Sequence, residues 1–127
     1  MFTSNFARMK RLPPDLRPVS ISIKPPYWLP KSAGRELRLA PTVEMLGMTA
    51  DGYNIAYEQI LEKLDPREVF ESLGENAVLI CYESPNVRCH RRRVAEWLET
   101  SLGIVIPEYG FEREEILAYL DQPSKLK

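Results

Sequence analysis

Residues 77–82 read AVLICY, an uninterrupted apolar run, and residues 88–102 read RCHRRRVAEWLETSL, a stretch with helical spacing. A continuous apolar run is typical of a strand that is covered on both faces, as in a parallel sheet. The helical stretch has an inward apolar stripe that Gly103 closes, formed by Val94, Ala95, Leu98 and Leu102. The apolar tripeptide 104–106 then indicates another strand. Strand, helix and strand in this order predict a right-handed βαβ unit with a parallel sheet.

Further helices are predicted on both sides of this unit. Apolar residues at i, i+3 and i+4 steps predict a helix over residues 53–64. Asp65 then supplies an N-cap and Pro66 a first helical residue, with an acid three residues after the cap, and Gly74 ends this second helix. Residues 111–120 predict a closing amphipathic helix.

Residues 1–41 are basic and rich in proline. Seven of the eleven prolines lie here, so this part is predicted to be mostly extended or looped. Two elements are expected within it: a short helix over residues 5–12, capped by Ser4 or Thr3, and a half-buried strand over residues 19–24. It holds eight Lys and Arg against two acidic residues, whereas the rest of the chain holds nine against sixteen. A basic arm can attract a polyanion or fold back onto the acidic body, and the sequence leaves both open.

Length and composition fit one folded domain. The chain has 127 residues, 44% hydrophobic and 28% charged, a balance typical of a compact protein that needs no disulfide or metal. We expect a single small α/β domain over residues 1–127, with a mostly parallel central sheet flanked by helices. Its core would be a helix-helix-strand-helix-strand-helix unit over residues 53–121. The longest uncharged apolar run is far shorter than the ~20 residues of a membrane helix. Two cysteines and the absence of a secretory signal favour a cytoplasmic protein without membrane contact.

The segment between the apolar strand and the next helix concentrates reactive side chains. It contains a carboxylate, two thiols, the single histidine and the first arginines of a basic run, namely Cys81, Glu83, Arg88, Cys89, His90 and Arg91. In open α/β sheets, ligands bind where strands end and helices begin, because unpaired N–H groups and the helix dipole favour an anion there. We therefore predict a site for phosphate or a nucleotide at the strand-to-helix turn 81–91.

The arginines of this turn are the predicted anion ligands. Arg91 begins the inward stripe of the helix, so it would hold the anion together with Arg88. A structural alternative is a buried ion pair between Arg91 and Glu83. Arg92 and Arg93 are expected nearer to solvent, as a solvated face of the helix.

The remaining side chains of the turn would carry the chemistry. Glu83 or His90 would move a proton, because a carboxylate beside an imidazole can titrate near neutral pH. Cys89, at the first helical turn, would be a nucleophile or a polar wall. Each has a structural alternative: His90 bonds a backbone carbonyl or Glu83, and Cys89 is only structural. Cys81 lies in the apolar run and favours a packed core thiol.

Neither a cofactor nor a metal is predicted. The turn contains no glycine-rich phosphate loop, and the chain has no Cys-x-x-Cys pair. Cys81, Cys89 and His90 offer at most three soft metal ligands, without the paired short spacings of a structural zinc site. The expected partner is therefore a small anionic ligand or a nucleotide.

The turn and its flanks also resemble a known family. The segments LICYE at 79–83, CHR at 89–91 and VAEWL at 94–98 resemble the domain of unknown function 488 family of bacterial and phage proteins. The similarity extends to TSNF at 3–6, VSISIK at 19–24 and LAP at 39–41. It implies a small α/β domain with a site at the signature residues, here Cys81, Glu83, Cys89, His90 and Arg91. Ser22 and Lys24 stand where longer members have an acidic residue and an arginine.

Two functions from different classes follow. The first is an enzyme that acts on an anionic ligand, plausibly a nucleotide or a nucleic-acid end, and it predicts that Arg91→Ala abolishes ligand binding with almost unchanged thermal stability. The alternative is a non-catalytic nucleic-acid-binding module, which uses the basic N-terminal part and the arginines at 91–93. Its contacts would come from basic and aromatic side chains near the N-terminus, namely Arg8, Lys10, Arg11, Tyr27 and Trp28. Tyr27 and Trp28 would stack on bases, cover the pocket or pack under a loop.

Overall fold

The computed structural model describes residues 1–82 and 90–110. Its strands are β1 (Phe2–Asn5), β2 (Arg17–Ser20), β3 (Gly34–Arg35) and β4 (Ala77–Cys81). Its α-helices are α1 (Ala50–Glu62), α2 (Pro66–Leu73) and α3 (His90–Leu102). Short 3-10 helices lie at Phe6–Arg11, Leu37–Leu39 and Glu44–Gly47. Among these residues, no helix combines the length and the apolar character that crossing a bilayer requires.

The four strands form one parallel sheet in the order β1-β4-β2-β3. The chain is therefore a small α/β domain, as the sequence predicted. In the register of the sheet, Asn5 of β1 lies beside Cys81 of β4, and Ser20 of β2 lies beside Ile80. The carboxyl ends of these three strands consequently meet at one edge, which we call the carboxyl edge.

Strand β4 is buried on both faces, which explains its uninterrupted apolar sequence. Leu79 and Cys81 face a core that also contains Tyr57 of α1, Val69 of α2 and Leu98 of α3. On the other face, Val78 and Ile80 pack with Phe6 of the first 3-10 helix. Burial of each such aliphatic side chain stabilises the fold by roughly 1.5–3 kcal/mol. Strand β4 contributes buried side chains to the core on both faces of the sheet.

The boundaries that local signals predicted for α2 are confirmed, whereas α1 is shifted towards the N-terminus. The side chain of Asp65 accepts hydrogen bonds from the backbone of Arg67 at 3.0 Å and of Glu68 at 3.4 Å, and Pro66 is the first residue of α2. Gly74 ends α2 with a φ of 90°, a conformation that glycine adopts without a steric cost. Helix α1 begins at Ala50, earlier than predicted, because Thr49 caps it by accepting from Gly52 at 3.1 Å.

The N-terminal elements differ from those predicted. Phe2–Asn5 is a strand that the polar sequence TSN did not indicate, and the cap of the following helix is Asn5 rather than Ser4 or Thr3. The helix itself is a 3-10 helix over Phe6–Arg11. Strand β2 ends at Ser20, although the backbone N–H of Ile21 still bonds the carbonyl of Ile80 at 3.1 Å.

The predicted strand at residues 104–106 is wrong. The backbone N–H of Ile106 donates to Glu99 Oε2 at 2.7 Å, and its carbonyl accepts from Arg92 Nη1 at 2.9 Å, so side chains occupy the groups that a neighbouring strand would need. The chain returns to the sheet slightly later, through a parallel bridge between Glu108 and Thr3 of β1. The predicted helix at 111–120 lies outside the described residues.

Candidate functional site

A pocket of about 680 Å³ opens at the carboxyl edge, beside the ends of β2 and β4. Its size is that of typical small-molecule sites. The wall is mostly apolar and comes from Pro41, Met45, Leu46, Met48 and Tyr53. The polar groups that reach it among the described residues are Ser22, Lys24, Cys81, Tyr82 and His90. The pocket therefore lies at the predicted end of the sheet, but residues 41–53 form much of its wall.

A second, smaller groove of about 300 Å³ lies between α1 and α3. Its described lining is largely charged, with Glu58, Glu62 and Glu96 around Arg93. Arg93 and Glu58 approach to 3.6 Å. A solvated, charged groove of this size offers little apolar surface to a ligand, so the pocket at the carboxyl edge is the stronger candidate.

His90 is the first residue of α3 and is almost completely buried. Its Nε2 atom lies 2.8 Å from the backbone carbonyl of Ile21, and the edge of its ring meets the ring of Tyr57 with centroids 5.5 Å apart. A carbonyl only accepts, so Nε2 carries the proton and Nδ1 is the acceptor in the neutral ring. The predicted carbonyl contact is confirmed, and it fixes the orientation of the imidazole at the pocket wall.

Arg91 is completely buried, with 0% of its surface exposed. Its Nε donates to Glu108 Oε1 at 3.0 Å and its Nη2 to Glu108 Oε2 at 2.8 Å, a two-pronged ion pair. Its Nη1 donates to Cys81 Sγ at 3.0 Å. Within residues 1–82 and 90–110, Glu108 is therefore the carboxylate that pairs with Arg91. Among the predicted site residues, Glu83, Arg88 and Cys89 lie outside the described part of the chain.

Arg92 contradicts the prediction of a solvated face, because it is only 4% exposed. Its Nη1 donates to Thr3 Oγ1 at 2.8 Å and to the carbonyl of Ile106 at 2.9 Å. Burial lowers the pKa of its guanidinium. The apolar stripe of α3 defined one inward face, but β1 and the segment around Ile106 cover a second face that carries Arg92. Arg93 is half-buried rather than free in solvent.

Thr3 and Glu108 connect these arginines. Neither residue was predicted from the sequence as part of the site. Thr3 Oγ1 donates to Glu108 Oε1 at 2.5 Å and accepts from Arg92. We call Thr3, Arg91, Arg92 and Glu108 the buried charge network. The only sequence signal for Thr3 was its place in the TSNF resemblance, and nothing near Glu108 marked it, because its partners are distant in the chain.

The predicted nucleic-acid contacts occupy another part of the same edge. Tyr27 is fully exposed and Trp28 is 44% exposed. Phe6 contacts Trp28 and Tyr82 edge to face, with centroid distances of 6.3 and 4.7 Å. We call Trp28 and Tyr82, with Phe6 beneath them, the aromatic rim. The basic residues of the first 3-10 helix include Lys10 and Arg11, which are exposed, and Arg8, which is half-buried.

Tyr82 connects the aromatic rim to the pocket. Its hydroxyl donates to the carbonyl of Lys24 at 2.6 Å, and both residues line the pocket. Ser22 also lines it, and its hydroxyl lies 3.1 Å from that of Ser20. Ser22 and Lys24 therefore both lie on the pocket wall.

No protein-family model, curated protein or solved structure matches this chain. The similarity to the domain of unknown function 488 family therefore stays a prediction from the sequence segments.

Proposed function

We propose that this protein binds a small anionic molecule with an apolar or aromatic body, such as a nucleotide, in the pocket at the carboxyl edge. The observation that carries the proposal is the composition of the pocket. An apolar wall suits the body of such a ligand, and the polar groups that line the pocket include Lys24 and His90.

The charges near the pocket support an anionic ligand. Lys24 is exposed and lines the pocket, whereas none of the described lining residues is acidic. Helix α3 begins at His90, so the positive end of its dipole faces this side of the sheet. Arg91 contributes less than the sequence suggested, because Glu108 neutralises its charge.

Proton transfer is the chemistry that these residues support best. The imidazole of His90 is held at the pocket wall through Nε2, and an imidazole is a side chain that can move a proton near neutral pH. Glu83 and Cys89 stay predicted participants in such a reaction. Cys81 also lies on the pocket wall, where its sulfur accepts a hydrogen bond from Arg91 Nη1 at 3.0 Å.

Occupation of the pocket is tested with a bulky substitution. Ala50 lines the pocket and is exposed at the first position of α1, so Ala50→Trp fills the space without disturbing the core. Ile55→Trp is the matched control, since Ile55 is exposed on the same helix and outside the described lining. We expect saturating nucleoside monophosphates to raise the Tm of the wild type and of Ile55→Trp by several degrees, and that of Ala50→Trp much less. Equal shifts in all three proteins would contradict the proposal.

The role of charge is tested at the same site. Lys24→Gln is expected to weaken binding of a nucleoside monophosphate by roughly two- to tenfold and to leave binding of the uncharged nucleoside unchanged. Lys31→Gln is the control, because Lys31 is exposed and outside the described lining. Isothermal titration with the monophosphate, the nucleoside and inorganic phosphate separates the two contributions. A nucleoside that binds as tightly as its monophosphate would remove the anionic part of the proposal.

A nucleic-acid-binding module is the second candidate, and the aromatic rim is the observation that favours it. The surface that could bind nucleic acid is smaller than the sequence suggested, because Arg91 and Arg92 are buried. The exposed cations that remain are on the N-terminal side, including Lys10, Arg11 and Lys24. Binding through these residues predicts a steep loss of affinity with salt, since neutralised phosphates release their counterions.

A further inference from the structure

The aromatic rim exposes two large side chains, and one of them, Tyr82, also lines the pocket. Trp28 is 44% and Tyr82 is 54% exposed. Both are fixed from below: Phe6 is buried and contacts each ring edge to face, and the hydroxyl of Tyr82 is bonded to the carbonyl of Lys24. Rings held in this way can receive a planar group without a further loss of side-chain freedom.

The surroundings of the aromatic rim are cationic. The 3-10 helix that contains Phe6 also carries Lys10 and Arg11, both exposed, and Lys24 lies beside Tyr82. Residues 1–38 contain only two acidic side chains, Asp15 and Glu36. Glu36 is engaged by Arg38 at 2.9 Å, so little negative charge opposes a polyanion on this surface.

We propose that the molecule bound at the carboxyl edge is the terminal nucleotide of a single-stranded nucleic acid. The inference rests on the proposed function: the pocket takes the terminal nucleotide, and the next base along the strand stacks on Trp28. The backbone between them passes the cations of the N-terminal part. Aromatic faces receive any base, so this recognition reads the strand end and its charge rather than its sequence.

The test compares ligands that differ by one nucleotide. The protein is titrated separately with thymidine monophosphate and with phosphorylated thymidine di- and tetranucleotides. The phosphate is at the 5′ end in one series of ligands and at the 3′ end in the other. We expect the dinucleotide of one series to bind roughly tenfold more tightly than the mononucleotide, because one additional base stacks. Trp28→Ala should remove that gain and leave mononucleotide affinity unchanged, since Trp28 is outside the described lining of the pocket.

Fluorescence reports on the stacking itself. The chain has two tryptophans, and Trp97 lies in the groove between α1 and α3, so Trp97→Phe leaves Trp28 as the only tryptophan signal. Dinucleotide binding to this variant should quench Trp28, whereas mononucleotide binding should quench it much less. An unchanged Trp28 signal on dinucleotide binding would contradict the stacking.

The remaining outcomes separate this inference from the proposed function. Equal affinities for mono- and dinucleotides in both series would overturn the inference and leave the pocket proposal standing. Undiminished dinucleotide binding to Ala50→Trp would overturn it as well, because the strand would then bind outside the pocket. If neither mononucleotides nor oligonucleotides bind the wild type, the proposed nucleotide site and this inference fail together.

Discussion

Arg91 and Arg38 both bind carboxylates through several N–H groups, but they do so in opposite surroundings. The side chains of Arg91 and Glu108 are 0% and 1% exposed. The side chain of Arg38 is 39% exposed and bonds Glu36 at 2.9 Å and Glu68 at 2.7 Å. The exposed cluster connects residues 36–38 to α2, whereas the buried pair connects α3 to the segment that pairs with β1.

The comparison shows that ion pairs with similar hydrogen bonds affect stability differently when they are exposed and when they are buried. An exposed ion pair contributes about 0–1 kcal/mol, because water and salt screen both charges. A buried pair gives up the hydration of both ions, so its net contribution to stability can be small, yet removing one partner leaves a bare charge in the core. The buried charge network therefore fixes how β1, α3 and residues 106–108 fit together.

The largest expected effect comes from removing Glu108. Glu108→Ala leaves the guanidinium of Arg91 buried without its carboxylate, so we expect the free energy of unfolding to fall by about 3–5 kcal/mol. Urea denaturation followed by circular dichroism measures the loss. Glu68→Ala, at the exposed cluster, is the matched control and should cost less than about 1 kcal/mol. Similar losses for both variants would remove the contrast. By the same reasoning, Arg91→Ala should be strongly destabilising, contrary to the unchanged stability that the sequence suggested.

A smaller effect is expected when both charges are removed together. Arg91→Met combined with Glu108→Leu replaces the pair by apolar side chains and leaves no unpaired charge. We expect the double variant to lose about half as much stability as either single variant, since Thr3 still loses the carboxylate to which it donates. A double-mutant cycle measures this coupling. Additive losses would mean that the two side chains act independently.

The smallest effect is expected at Glu36 and depends on pH. Hydrogen bonds from Arg38 lower the pKa of the Glu36 carboxyl below its ordinary value. A lowered folded-state pKa stabilises the protein above the unfolded-state pKa, and this contribution is lost as the pH falls through the folded-state pKa. Glu36→Gln should therefore cost less than about 1 kcal/mol at pH 7 and almost nothing at about pH 3. Urea titrations at both pH values measure the difference, and a cost that grows on acidification would contradict the assignment.

The parts of the fold that the sequence predicted are those determined by local signals. Strand β4 follows from its apolar run, and α2 follows from the cap at Asp65 and the glycine at Gly74. Strand β1 was missed because its residues TSN are polar, and the distant partners of Thr3, namely Glu108 and Arg92, are not visible in the local sequence. The false strand at 104–106 has the same cause, since Glu99 and Arg92 take its backbone groups.

The candidate site was predicted in position but not in composition. The carboxyl edge followed from the strand-to-helix order, and the carbonyl contact of His90 is one of the two contacts that were offered as its structural alternative. The partner of Arg91 did not, because Glu108 lies seventeen residues further along the chain and no spacing rule connects them. The pocket wall around Met45 and Met48 comes from a part of the sequence without a regular pattern. Roles for Glu83, Arg88 and Cys89 stay predictions.

Thr3 and Glu108 are separated by 105 positions, yet they are bonded in the finished protein. Among the described strands β1 is synthesised before its neighbour β4 and before the residues around Glu108. A nascent strand that waits for its partners exposes unpaired backbone and invites aggregation. The hydroxyl and amide side chains of Thr3, Ser4 and Asn5 are better solvated by water than apolar side chains would be. A polar strand of this kind therefore carries less of that risk than an apolar one.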